Sequence, residues 1–215
     1  MLNKNELNTG DILLFKENND FGNCYNAVFS CVTSCIEKLT KSKYAHCAMI
    51  IRDPNFENFS RKGLFIFQSS FEAFPDAEDN KYKFGVELEE FDKVLDSAKD
   101  HEIVYVRRLI CDRNPDFFAI LNKIHKETYN KPYDFMPQDL IEAVTQNKTN
   151  YDYQNRNRFI CSALLAFSYV QWGFLPTDTK WTIATPKMFG TESNNPHKFI
   201  FSKKCHILKE DQLDI

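Results

Sequence analysis

YAHCAMIIR, from Tyr44 to Arg52, is the stretch on which the fold turns. Read at a period of two, it puts His46, Ala48 and Ile50 on one side and Cys47, Met49 and Ile51 on the other, as a strand requires. A second run, GLFIFQSSF from Gly63 to Phe71, follows a polar loop containing Pro54 and several asparagines, so the two runs are expected to pair antiparallel. Upstream, TGDILLF combines a Gly-Asp turn with an apolar run that suits a buried first strand, and a helical segment is expected from about Asn23 to Leu39. Downstream come FGVEL, a charged segment of helical character from about Glu89 to Ala98, and EIVYVRRLI from Glu102 to Ile110, which alternates as a half-buried strand does.

Pro115 suits the first turn of a helix running to about Tyr129, after which KPYDF breaks it. A further helical piece near Gln138 to Thr145 and the polar loop NKTNYDYQNRNR precede an apolar helix that begins near Ile160. The end, from about Pro176, is turn-rich and carries Trp181, Pro186 and Phe189. Consecutive strands followed by a large helix from the C-terminal half define an α+β chain, an antiparallel sheet packed on a buried helix. One domain spans residues 1–215, with a core from about 8 to 190 and a polar tail over 191–215.

Composition narrows the function. At 215 residues one core buries roughly 70% of the surface that the unfolded chain exposes. With 43% hydrophobic and 27% charged residues the chain is too apolar for disorder. A net charge of -3 with mixed signs supplies no basic stripe, which argues against a nucleic-acid partner. The first ten residues are polar and lack the apolar core of a secretory signal, and seven cysteines without small-scaffold spacing suit a reducing compartment, so a cytoplasmic, unsecreted protein is expected. Cys24, Cys31 and Cys35 share a helical face with Val28, Val32 and Ile36, a stripe that core packing explains better than zinc. No C-x-x-C pair occurs, and no metal site is expected. The stretch FICSALLAFSYVQWGFLPT, Phe159 to Thr177, holds no charge and approaches membrane-span length, but Ser162, Ser168, Gln171 and Gly173 favour a helix buried in a core.

Within that helix, Cys161 falls in the first turn. Unpaired backbone N–H groups and the macrodipole lower a thiol's pKa there, and the same groups can receive an oxyanion. The base must be a histidine. His101, His125, His197 and His206 lie in charged or polar segments, whereas His46 stands among apolar neighbours, where an imidazole must be bonded or used. A third group has to fix its tautomer, and Gln68, which shares a face with Ser70 and Glu72 on the adjacent strand, can accept through its amide oxygen. Tyr44, two residues before His46 on the same face, and Tyr133 in KPYDF are the candidates for lining a substrate cleft.

Together these segments resemble a known family, the circularly permuted NlpC-like papain-fold hydrolases of the YiiX type, with relatives in poxviruses and giant viruses. GDILLF resembles the family's opening Gly-Asp strand, KYAHCAMII its Ser/Tyr-x-His-x-x-hydrophobic motif, FIFQSS its hydrophobic-Glu-Ser/Ala strand and FGVELEEF its Gly-Val-x-x-x-x-hydrophobic segment. VYVRRL, KPYDF and FICSALLAFSYVQWGF are similar to its Val-x-Arg-Leu, Tyr-Asp-Phe and Cys-Ser-Glu-Leu signatures, so the likeness runs from Gly10 to about Phe189. It implies a circularly permuted papain-like fold in which histidine precedes cysteine, with Cys161 as nucleophile and His46 as base. Two positions depart from the family. Gln68 stands where these relatives usually carry Glu, and Ala163 stands where they often carry Glu.

The expected activity is therefore that of a cysteine hydrolase or acyltransferase acting on an amide, ester or thioester carbonyl through a covalent acyl-enzyme, without metal or organic cofactor. The resemblance spans cell-wall peptide cleavage and acyl transfer from lipids, so a peptide-like or lipid-like substrate is expected, with transient membrane contact allowed and the host cytoplasm or virion as location if the source is viral. The rival from another class is a catalytically weakened binding or virion structural protein on the same scaffold.

Overall fold

The computed structural model describes residues 4–18, 42–70, 74–99, 101–134, 154, 156–192 and 195–213. The helices expected over Asn23 to Leu39, with Cys24, Cys31 and Cys35, and near Gln138 to Thr145 lie outside the described residues, as does Glu72.

The two runs that decide the fold become β2 (His46–Arg52) and β5 (Leu64–Ser70), paired antiparallel with Met49 opposite Phe67 and Ile51 opposite Phe65. On the far side of β2 lies β1 (Ile12–Glu17), and beyond it β7 (Glu102–Arg107). On the far side of β5 lies β6 (Gly85–Glu90). The loop containing Pro54 is more ordered than its composition predicts, forming a small hairpin of β3 (Asn55–Phe56) and β4 (Phe59–Ser60). EIVYVRRLI is two strands rather than one. Its ladder stops at Arg107, and β8 (Leu109–Ile110) pairs instead with β9 (His206–Ile207). The charged segment starts later than expected: Glu89 and Glu90 complete β6, and α1 (Phe91–Ala98) begins after them.

Two further helices follow. α2 (Pro115–Thr128) has Pro115 in its first turn and is capped by Asn114, whose side chain accepts from the Phe117 N–H at 3.0 Å. α3 (Cys161–Gln171) is buried from Cys161 through Tyr169. Its polar members are satisfied internally, since Ser162 Oγ donates to the Ala184 carbonyl at 2.7 Å and Ser168 Oγ to the Leu164 carbonyl at 2.8 Å. That removes the cost of burying a helix with no polar face. At 11 residues it is about 17 Å long, short of a bilayer. Among the described residues no helix is long and apolar enough to cross a membrane.

The sheet separates two apolar layers. Ile12, Leu14, Cys47, Met49, Phe65, Phe67, Val86 and Leu88 face α2 and α3. Leu13, Phe15, Ala48, Ile50, Ile66, Val104 and Val106 face α1 through Phe91, Val94 and Leu95. The alternation read from YAHCAMII therefore divides the two layers, with Ala48 and Ile50 in one and Cys47, Met49 and Ile51 in the other.

The segment after residue 190 is not a tail. β10 (Asp211–Gln212) adds to β7 as the sixth strand, in the order β10-β7-β1-β2-β5-β6, and Leu213 is buried. Arg107 holds this end from inside, donating to the carbonyls of Phe189 at 2.5 Å and Leu208 at 2.9 Å. Local composition over 191–215 is polar because edge strands are short and wet, and two-residue ladders leave no periodic signal. The architecture is a mixed α+β one with an antiparallel sheet.

Candidate active site

Cys161 is the first residue of α3, and the residue before it, Ile160, has extended backbone and offers no side-chain cap to the first turn. Cys161 is 3% exposed, and the side chains of Cys47 and His46 lie close enough to act on its thiol. Those two occupy adjacent positions at the start of β2. The Cys161 thiol is held well below its ordinary value. The Cys47 hydrogen bond contributes most, burial opposes it, and the charge and hydrogen bond of His46 add to the lowering. Cys47 is pushed the other way by burial and by its bond to Cys161. Of the two buried thiols, that of Cys161 is the one lowered and that of Cys47 the one raised.

His46, 5% exposed, makes its second contact through Nε2, which lies 2.8 Å from Gln68 Oε1. Which nitrogen carries the proton follows from the next bonds outward. Gln68 Nε2 donates to a carboxylate oxygen of Glu89 and, at 3.3 Å, to Ser70 Oγ. With its NH₂ committed there, the Gln68 amide can only present its oxygen to His46, so the neutral imidazole carries its hydrogen on Nε2 and its lone pair on Nδ1. Ser70 Oγ in turn donates to Glu87 Oε1 at 2.7 Å. Gln68, Ser70, Glu87 and Glu89 are all buried, so the network is held away from water.

The approach to Cys161 is braced by KPYDF. Tyr133 bridges Phe159 in parallel, Phe159 N–H donates to the Pro132 carbonyl at 3.1 Å, and Asp134 N–H donates to the Phe159 carbonyl at 3.2 Å. The Phe159 carbonyl also accepts from Ser69 Oγ at 2.7 Å, and Arg158 pairs with Asp134 at 2.8 Å. Gly85 closes the other side of the brace. At φ +151° it packs so close to Lys131 that a Cβ would stand 2.1 Å from that carbonyl oxygen.

Of the residues singled out in the sequence, Cys161, His46 and Gln68 come together in one buried chain of contacts. Tyr133 lies beside them, its hydroxyl pushed up first by burial and then by the nearby Cys161 and Cys47 sulfurs. Tyr44 goes elsewhere. It precedes β2, packs edge-on to Tyr105 and turns its hydroxyl toward Glu210. Sequence reasoning missed Cys47 as a partner of Cys161, and Glu87 and Glu89 as buried groups. The alternation Glu87, Glu89 against Val86, Leu88 is the signal that could have found the latter pair. Among the described residues no group of three or more His, Cys, Asp or Glu side chains is arranged to hold a metal ion.

Fold and site thus define an α+β protein with a buried cysteine–histidine pair at a helix N-terminus. No protein-family model matches the chain, and no curated protein matches it. Among solved structures it is similar to the metalloprotein YiiX of Escherichia coli O157:H7, at 14% sequence identity over 95% of this chain and 97% of that one, with a TM-score of 0.45.

Proposed function

We propose that this chain is a cysteine hydrolase or acyltransferase, with a circularly permuted papain-like arrangement, that forms an acyl-enzyme on Cys161. The observation that carries the reading is the buried His46, which lies 2.8 Å through Nε2 from Gln68 Oε1 and acts on the thiol of Cys161 at the start of α3. The Cys161 thiolate adds to the carbonyl carbon of an amide, ester or thioester, and the N–H groups of the uncapped first turn of α3 receive the oxyanion. When the tetrahedral adduct collapses, His46 gives the proton it took from the thiol to the leaving amine, alcohol or thiol, and a Cys161 thioester remains. Water or an acceptor then loses a proton to His46 Nδ1, attacks the thioester and releases the acyl product with the thiolate restored. Gln68 keeps the imidazole oriented throughout, and Tyr133, near Cys161 and Cys47, lines the substrate in this reading. A peptide-like or lipid-like acyl donor, met in a reducing cytoplasm, suits a thiolate that must stay unoxidised.

One observation favours a second reading, a binding or virion structural protein on the same scaffold: the neutral Gln68 gives an imidazolium less support than a carboxylate would. Iodoacetamide labelling followed residue by residue separates the two. As an enzyme, the chain alkylates Cys161 at pH 6 at least about tenfold faster than Cys111 and Cys205, whose thiols burial pushes up, and His46→Ala removes about that advantage. Equal rates at the three cysteines, indifferent to His46→Ala, would leave only the binding reading.

A further inference from the structure

We infer that Glu89 is a positioning residue for His46, acting through Gln68: the buried Glu89 carboxylate sets the orientation of the Gln68 amide, and the amide in turn sets which nitrogen of His46 holds the proton. The inference rests on the reading of Cys161 and His46 as nucleophile and base, and it adds the group that takes the place of the acid missing at Gln68.

The geometry is a line of three side chains. Glu89 accepts from Gln68 Nε2, and Gln68 Oε1 lies 2.8 Å from His46 Nε2. Glutamine alone does not specify a tautomer, because its amide can turn over and present NH₂ as readily as oxygen. The Glu89 oxygen on the far side of the amide accepts from Gln68 Nε2, and an acceptor there breaks that symmetry. Only the orientation with NH₂ toward Glu89 satisfies both ends. The register of β5 on β6 makes this possible: Gln68 pairs with Glu87 and Ile66 with Glu89, so both carboxylates share the sheet face that carries Gln68. Glu87 is spent differently, accepting from Ser70 Oγ at 2.7 Å. The helix over that face, α1, turns the apolar Phe91, Val94 and Leu95 toward it. Gln68, Glu87 and Glu89 are each at most 1% exposed, so water does not compete for the amide.

A carboxylate one residue removed has an electrostatic consequence as well. When His46 is cationic beside the Cys161 thiolate, an ionised Glu89 stabilises it through the polarised amide. The site then keeps the acid of a cysteine–histidine–acid set at one remove.

Two measurements on the full chain test this. In Cys161→Ala protein, ¹⁵N NMR of neutral His46 is expected to show the proton on Nε2, and the added substitution Glu89→Gln is expected to produce a mixture of both tautomers. Glu87→Gln, which removes an equally buried carboxylate from Ser70 instead, leaves the tautomer on Nε2. With Cys161 present, Glu89→Gln is expected to move the pH profile of iodoacetamide labelling of Cys161 upward by about one unit. Glu87→Gln should change it far less. A proton on Nδ1 in the Cys161→Ala protein overturns the inference even if Glu89→Gln fails to fold, and so does an unchanged tautomer in Glu89→Gln. Slow labelling of Cys161 in the unaltered chain instead counts against the nucleophile reading, while the NMR result on His46 still decides the role of Glu89.

Discussion

At the scale of single residues, the site runs on which group keeps its proton. In the Cys47–Cys161 pair one thiol is lowered and the other raised, while burial opposes the charged form of both. A similar division occurs between Tyr44 and Glu210, where burial and the nearby carboxylate push the Tyr44 hydroxyl up. Burial pushes Glu210 up too, but hydrogen bonds from the Thr191 N–H and hydroxyl and the charge of Lys43 hold it below its ordinary 4.5. A depressed carboxylate stabilises the native chain fully above its unfolded value, and that contribution is lost as the pH falls through the lower folded value. Glu210→Gln is expected to cost about 1–2 kcal/mol at pH 7, with the difference from the unaltered chain fading in urea titrations below about pH 4. A deficit that is independent of pH would mean that shape, not charge, is what Glu210 supplies. His46 and Gln68 were legible as a facing pair because strand periodicity is local, whereas Glu89 was not. It was read with the charged helix that follows it, and its partner lies on another strand.

At the scale of elements, the nucleophile helix is aimed by what precedes it. Phe159 is held by Ser69 from the sheet and by Pro132 and Asp134 from KPYDF, and Gly85 lets KPYDF approach the edge of β6. Gly85→Ala places a methyl against the Lys131 carbonyl in a backbone region that L residues avoid. The expected loss is about 2–4 kcal/mol in denaturant midpoint analysis, accompanied by slower Cys161 labelling because Phe159 loses its brace. Full stability in that variant would show that the Gly85–Pro132 approach can open without consequence. The apolar run at Phe159 to Thr177 illustrates the limit of periodicity: it marks burial without saying in what. Its 11 helical residues end at Gln171, and the remainder turns back through Gly173 at φ +72°.

At the scale of the whole molecule, the sheet is completed from both ends of the chain. Ending the protein after Ser202 would remove β9, β10 and Leu213 and would leave the Arg107 guanidinium with the Phe189 carbonyl but without that of Leu208. The expected destabilisation is about 3 kcal/mol or more, read as a lower urea midpoint. An unchanged midpoint would return this segment to the status of an appendage. By itself the sequence determined the α+β order, the pairing of β2 with β5 and the local position of Cys161 in a helix's first turn, because each rests on a period or on neighbours a few residues apart. Only the tertiary structure decided that Cys47 lies beside Cys161, that Glu89 stands behind Gln68, that Tyr44 turns away to Glu210 and that the C-terminal segment closes the sheet. Those contacts join residues about 20 to 170 positions apart, and strand register and burial, which no local pattern encodes, are what bring them together.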